Sequence, residues 1–171
     1  MKKHLFMKKH LFAVCIFVLT VIILNIPMLS KFTISDGKTK QIVYIDDIDN
    51  AKEFVISFKH SVNRTPVNEF IKIQGHKFLV YKTTFYSYGA GMPEYDAKGG
   101  QRVSMIDGLI QIENIDLELE SITYLVGIYA DHTLNHNNNT IKLSDYVKPQ
   151  NPALFRVDKI TLFELITYKS R

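Results

Sequence analysis

Hydrophobic and polar positions follow two different patterns on either side of residue 30. Residues 11–29 form an apolar run of 19 positions without a charged side chain, whereas beyond Phe32 short stretches alternate between apolar and polar residues. A helix of that length reaches across a hydrocarbon layer of roughly 30 Å. Period-two alternation is typical of half-buried strands. The sequence therefore predicts a basic segment (1–10), a membrane anchor or signal segment (11–29) and a β-domain (33–171).

The placement of lysines predicts the orientation of this apolar segment. Four lysines precede it, at positions 2, 3, 8 and 9, and only Lys31 follows closely. Positive charge is retained on the cytoplasmic side, so the domain is expected outside the cytoplasm as the C-terminal part of a single-pass membrane protein. A cleavable signal peptide is the alternative. Its apolar region usually spans about 7–15 residues and ends at a small-residue site. The longer run and the missing A-x-A site favour an uncleaved anchor.

Strand-like runs recur through the rest of the chain and are separated by turn signals. Gly75 and His76 separate two such runs and predict a hairpin, because glycine permits the backbone of a tight turn. Residues 115–120 alternate strictly but also suit a short helix, so their structure stays open. The predicted strands cover residues 53–59, 69–74, 77–86, 108–112, 121–129, 140–143 and 153–168. Without a long helical pattern beyond the anchor, we expect an all-β fold, an antiparallel β-sandwich or a small barrel following a single transmembrane helix.

Charge and cysteine content exclude several classes of protein. The net charge of +4 comes from the N-terminus, because residues 32–171 carry 16 basic against 17 acidic side chains. Such a near-neutral domain lacks the basic surface that binds phosphate backbones, so no nucleic-acid partner is expected. The single cysteine, Cys15, excludes a disulfide framework and lies inside the apolar run, where a membrane-helix residue is the simplest interpretation.

Three loops interrupt the strand pattern with chemically capable residues. The first, residues 60–69, begins with His60 and Ser61 and ends at Glu69. The second, residues 88–94, contains two glycines and a proline. The third, residues 127–134, carries His132.

The residues of these loops resemble a bacterial family known as domain of unknown function 1850. The resemblance rests on the stretches FVISFKHSVNRTPVNEF, FYSYGAGMPEY, IDGLIQI and VGIYADHTL, in that order, and spans roughly Phe54 to Val147. Members commonly carry an N-terminal membrane segment, and their genes often adjoin those of tripartite ATP-independent periplasmic (TRAP) transporters with a TAXI-type solute receptor. The resemblance therefore implies an accessory role at such a transporter. The family positions present in this chain are His60, Ser61, Pro66, Glu69, Gly89, Gly91, Pro93 and His132.

Each candidate residue also has a structural interpretation. Neighbouring strand residues point to opposite faces, so His60 is badly placed to activate Ser61, and serine hydrolysis is not expected. A buried His60 that fixes its turn by a hydrogen bond to Glu69 or a loop carbonyl is the alternative to ligand contact. Gly89, Gly91 and Pro93 suit a tight turn better than an anion site, because no helix signal follows them.

Metal binding is the other chemistry that the loops suggest. His60, Glu69 and His132, with Asp131, are residue types that bind zinc or another divalent ion, but their spacing is not diagnostic and no metal or other cofactor is expected. His136, in the Asn-rich stretch 135–139, is expected in a solvated turn.

Two functions from different classes follow. The preferred one is a membrane-tethered extracytoplasmic accessory or interaction module without catalytic activity. Its partners would be TRAP transporter subunits or the TAXI-type receptor, with the bilayer contacted through residues 11–29. The binding residues would be His60, Ser61, Glu69, Gly89, Gly91, Pro93 and His132. The alternative is a metal-dependent or acid-base hydrolase using His60, Glu69 and His132.

Overall fold

Two antiparallel β-sheets make up most of the protein in the computed structural model, which describes residues 2–48, 53–88 and 99–169. The four-stranded sheet has the order β2-β1-β11-β8 and the seven-stranded sheet the order β10-β9-β3-β4-β5-β7-β6. The strands are β1 (Leu29–Asp36), β2 (Ile42–Asp46), β3 (Glu53–Lys59), β4 (Pro66–Gln74), β5 (Lys77–Phe85), β6 (Arg102–Ile106), β7 (Leu109–Leu119), β8 (Ile122–Leu125), β9 (Thr133–His136), β10 (Asn139–Lys142) and β11 (Pro152–Ile160).

The core lies between the two sheets. Phe32 of β1 and Phe155 of β11 are fully buried against Phe54 of β3, with the rings of Phe54 and Phe155 stacked at a centroid distance of 6.1 Å. Along β3 and β11 the buried residues alternate with more exposed ones, as expected when a sheet buries one face, whereas in β1 three consecutive residues, 32–34, are buried. Both sheets of the described residues end in free edge strands, so neither closes. The predicted sandwich-like fold is confirmed, and the barrel alternative is wrong.

Tight turns fix the register of the seven-stranded sheet. Gly75 adopts a left-handed φ of 63° in the predicted hairpin between β4 and β5. Asn137 and Asn138, with φ of 51° and 60°, form the two-residue turn between β9 and β10. Two consecutive positive φ angles are typical of the type I′ turn, whose twist matches that of the flanking strands.

A buried polar corner joins β1 to β11. The Gly37 N–H donates to the carbonyl of Pro152 at 2.7 Å, and the Asn151 amide donates to the Asp36 carboxylate at 2.9 Å. Asp36 also accepts hydrogen bonds from the backbone of the following turn. These bonds, with that of Asn151 foremost, keep the pKa of Asp36 below its ordinary value.

Two α-helices, α1 (Lys2–Leu24) and α2 (Leu162–Lys169), and a short 3-10 helix (Leu143–Asp145) complete the described structure. The chain divides into two compact units, one formed by Lys31–Asp158 and one by the segments up to Ser30 and from Lys159 onward. Among the described residues, no helix combines the length and the apolar character needed to cross a membrane.

Several elements differ from the sequence-based expectation. Residues 153–168, predicted as one strand, divide into β11 and α2 at Thr161. The Thr161 hydroxyl accepts from the Glu164 N–H at 3.0 Å, and the Glu164 carboxylate accepts from the Thr161 N–H at 2.8 Å. This reciprocal capping box starts a helix where the alternation alone predicted a strand. The open segment 115–120 continues β7 to Leu119, and the predicted strand 121–129 ends at Leu125.

Candidate functional site

The first loop is a tight turn organised by His60. Nδ1 of its buried imidazole accepts hydrogen bonds from the backbone N–H groups of Val62 at 3.3 Å and Asn63 at 3.1 Å. The backbone of His60 closes the same turn through hydrogen bonds with Thr65 and Arg64. Because both amides donate to it, Nδ1 acts as an acceptor in this turn. His60 thus fixes the shape of the loop through hydrogen bonds from two of its backbone amides.

The third loop is attached by a backbone hydrogen bond and an ion pair to Lys59, the residue directly before the first loop. The Lys59 N–H donates to the carbonyl of Ala130 at 2.7 Å, and the Lys59 ammonium contacts the Asp131 carboxylate at 2.7 Å. Lys142 contacts the other oxygen of Asp131 at 3.0 Å. The hydrogen bonds from Lys59 and Lys142 lower the pKa of Asp131 to about 2. Asp131 therefore remains ionised and serves both lysines.

A small cavity of about 200 Å³ lies between these two loops. Arg64 and Tyr129 face each other at its rim, with the guanidinium 5.8 Å from the ring centroid. Ser61 also lines the cavity and is exposed. The remaining lining residues are Lys59, His60, Gly127, Ile128 and Ala130.

The second loop begins beside the first. The Asn63 side-chain amide donates to the Ser87 hydroxyl at 2.9 Å, one residue before the loop starts at Tyr88. Gly89, Gly91 and Pro93 lie outside the described residues. The structure thus joins the first loop to the third and to the approach of the second.

Beside this surface, Glu69 and His132 lie among aromatic side chains. Glu69, on β4, accepts a hydrogen bond from the Tyr124 hydroxyl of β8. Burial raises the pKa of Glu69, although the Tyr124 hydrogen bond opposes the shift. Burial, reinforced by the charge of Glu69, raises the pKa of Tyr124 as well. The pair therefore shares a hydrogen bond in which Tyr124 remains the donor.

His132 lies on the other side of the same aromatic group. Its buried imidazole stacks on Phe58 with a centroid distance of 5.3 Å and lies 6.0 Å from the Tyr124 ring. The Gly127 N–H points at His132 Nδ1 from 3.5 Å, the outer limit of a hydrogen bond. Burial lowers the pKa of His132, so the ring is neutral at pH 7.

Comparison with known families decides what kind of chain this is. Residues 54–143 match the sequence profile of a family described as a domain of unknown function, DUF1850. The chain belongs to the DUF1850 family. The resemblance that the loop motifs suggested is confirmed. No curated protein and no solved structure matches the chain.

The DUF1850 region coincides with the part of the fold that carries the loops. It runs from β3 through β10 and so takes in the seven-stranded sheet, together with β8 of the other sheet. The first and third loops, Glu69 and Tyr124 all lie inside it. In this DUF1850 chain, the matched region therefore contains the whole candidate surface.

The side chains of this DUF1850 surface do not form a metal site within the described residues. No three histidine, cysteine, aspartate or glutamate side chains lie close enough together there to hold an ion. His60, Glu69 and His132 are all described, and each has the separate partners given above. The ligand set weighed from the sequence is thus not brought together.

The sequence analysis of this DUF1850 chain did not predict the buried polar contacts of two residues, Tyr124 and His136. Tyr124 was assigned only to a predicted strand, and nothing in its neighbours signals a carboxylate partner. His136, expected in a solvated turn, is only 1% exposed at the end of β9, and its Nδ1 lies 2.8 Å from the Asp46 carboxylate. Asp46 also accepts from the Tyr44 hydroxyl at 2.9 Å. Burial alternates along β9, so Leu134 and His136 face the core together.

Proposed function

We propose that this protein is a membrane-tethered, extracytoplasmic accessory module that recognises a partner through the surface formed by its first and third loops. One observation carries the proposal. The two loops are locked to each other, yet they expose large apolar side chains at Val62 (67%), Ile128 (58%) and Tyr129 (75%). Exposed apolar residues on loops held by a rigid sheet are a common design for protein recognition.

The bonding of the polar candidates supports recognition over catalysis. Nδ1 of His60 is engaged with two backbone amides, and the Glu69 carboxylate is engaged with Tyr124. His132 is buried against Phe58. A catalytic constellation needs its nucleophile, base and orienting group within hydrogen-bond reach of one another. Here the hydrogen bonds of these polar groups are made within the protein, where they stabilise the loops and the strands next to them.

The membrane tether rests on the amino-acid sequence. Residues 11–29 carry no charge, and basic residues are concentrated before them, which supports a single-pass segment with its N-terminus in the cytoplasm. We place residues 33–171 on the extracytoplasmic side of the cell membrane. The family resemblance supports TRAP transporter subunits or their TAXI-type receptor as the partner.

A second function keeps one supporting observation. A carboxyl whose pKa is raised by burial, as at Glu69, is the kind of group that enzymes use as a general acid or base. An acid-base hydrolase that uses His60, Glu69 and His132 is therefore the alternative. It predicts hydrolytic turnover that is lost in Glu69→Gln while folding is retained.

Site-specific photocrosslinking in the native cells tests the preferred function. A photoreactive amino acid would replace Tyr129 in the full-length protein, and the matched control would carry it at Met105, which is 71% exposed on β6. The proposal predicts crosslinks to transporter subunits or their solute receptor from position 129 and not from position 105. Equal crosslinking from both positions, or none to those proteins, would contradict it.

A further inference from the structure

Helix α2 has an apolar face that the described residues leave exposed. Phe163 is 53% exposed and Ile166 is 58% exposed. Residues three apart in a helix lie on the same side, so these two side chains form one continuous face. Leu162 and Leu165, by contrast, are half-buried. The capping box at Thr161 fixes where α2 begins.

The register of β1 and β11 places this helix near the end of the apolar N-terminal segment. The Gly37 N–H donates to the carbonyl of Pro152, and the Thr33 hydroxyl donates to the carbonyl of Arg156 at 3.4 Å. Residue numbers therefore rise along β1 as those of the facing residues fall along β11. Continued to the end of the strands, this antiparallel register brings Leu29 beside Ile160. Leu29 is both the last residue of the apolar run and the first residue of β1, and Ile160 ends β11 two residues before α2. Both belong to the same compact unit.

We propose that α2 lies on the surface of the lipid bilayer, with Phe163 and Ile166 inserted at the boundary between headgroups and acyl chains. The inference rests on the proposed tether, because an apolar segment that leads directly into β1 brings the neighbouring end of β11 to the membrane surface. It adds a second membrane contact, made by the opposite end of the polypeptide.

The chemistry of the segment fits an anionic membrane surface. Lys159 precedes α2 and is exposed, Lys169 is its last residue, and Arg171 follows in the sequence. Interfacial helices combine aromatic and aliphatic insertion with basic residues that attract anionic headgroups. Ile26 and Met28, which lie between α1 and β1, are also exposed and add two apolar side chains just before Leu29. A lipid surface thus explains an exposed apolar face in a segment, residues 159–171, whose sequence carries three basic residues and one acidic residue.

Single-cysteine labelling tests this placement in the full chain. Cys15 is the only cysteine, so Cys15→Ala gives a cysteine-free background. Phe163→Cys and Ile166→Cys would carry an environment-sensitive fluorophore, with Met105→Cys as a matched exposed control and Leu19→Cys as a reporter of the tether. The proteins would be reconstituted into vesicles of phosphatidylethanolamine and phosphatidylglycerol that contain nitroxide-labelled lipid.

The inference predicts that nitroxides attached near the lipid headgroups quench the fluorophores at positions 163 and 166 and leave the fluorophore at position 105 unaffected. Unquenched fluorescence at 163 and 166 overturns it, whether α2 is open to water or covered by another protein. Position 19 decides the tether separately, because deep nitroxides quench it only if residues 11–29 enter the bilayer. Replacing phosphatidylglycerol with phosphatidylcholine should weaken quenching at 163 and 166 if the basic residues contribute.

Discussion

The Tyr124 hydroxyl donates a hydrogen bond to the Glu69 carboxylate and so joins β8 of the four-stranded sheet to β4 of the seven-stranded sheet. A carboxylate in this half-buried position is poorly solvated, and burial accordingly raises its pKa. At neutral pH, the burial of the ionised Glu69 carboxylate therefore lowers the free energy of unfolding.

Glu69→Gln is expected to stabilise the protein at pH 7 or leave its stability unchanged. An acid with a raised folded-state pKa stabilises the fold while protonated, and that contribution is lost as pH rises from about 4.5 through the folded-state value. Glutamine keeps an acceptor for Tyr124 and does not titrate. Urea unfolding as a function of pH should show that the wild-type protein loses this part of its free energy of unfolding as pH rises and that the variant does not.

Tyr124→Phe is the control for that variant, since it removes the donor and leaves the carboxylate half-buried. It should destabilise the protein by about 1–3 kcal/mol at pH 7. If Glu69→Gln and Tyr124→Phe destabilise equally, the hydrogen bond outweighs the cost of burying the charge, and the account of Glu69 is wrong.

The pH dependence contributed by His132 has the opposite sign. Burial lowers its pKa below 6.5, so the neutral ring stabilises the fold above that pH, and the contribution is lost as pH falls through the folded-state value. Phenylalanine in His132→Phe keeps the stacking on Phe58 but does not titrate. The free energy of unfolding of this variant should therefore fall less between pH 7 and pH 5 than that of the wild-type protein. His76→Gln, at an exposed turn position, is the matched control.

His60→Ala is expected to loosen the first loop, whereas His60→Asn should largely preserve it. Alanine leaves the Val62 and Asn63 N–H groups without their acceptor, at a cost of about 1–2 kcal/mol, and the asparagine oxygen takes the place of Nδ1. Amide hydrogen exchange at positions 62 and 63 measures this directly. Equal exchange in both variants would show that the ring does not hold the turn.

Gly37→Ala should destabilise the corner between β1 and β11. A Cβ there would lie 2.6 Å from Pro152 Cγ and 3.1 Å from its carbonyl oxygen, so the strands must shift apart. The expected cost is about 1–3 kcal/mol, measured by thermal or urea unfolding. Gly75→Asn is the matched control. Its position has a left-handed φ, a Cβ added there would meet no atom within 4 Å, and asparagine tolerates that backbone.

The sequence was informative where local rules decide the structure. The alternation at Glu53–Lys59 predicted β3 at its observed bounds, and Gly75 predicted the hairpin turn, because side-chain period and turn chemistry are local properties. Helix α2 was missed because its four apolar residues also suit a strand and the capping box at Thr161 was not weighed.

The polar contacts were less accessible. Glu69 and Tyr124 are 55 residues apart in the chain, and only the pairing of the two sheets brings them together. His136 was expected to be solvated because three asparagines follow it, although the strand continues through it and buries its ring. The loops themselves could be selected from the sequence, but the attachment of the first to the third depends on Lys59, which no sequence pattern singled out.

Partner recovery with two matched double variants tests the central claim most directly. Val62→Ser with Ile128→Ser changes the proposed recognition surface, and Met105→Ser with Ile106→Ser changes exposed apolar residues on β6. Each protein would be affinity-purified from native membranes, and the co-purifying transporter subunits and receptor would be quantified. The account predicts a loss of about tenfold for the first variant, equivalent to roughly 1.4 kcal/mol, and wild-type recovery for the second. Equal recovery with both variants would contradict it.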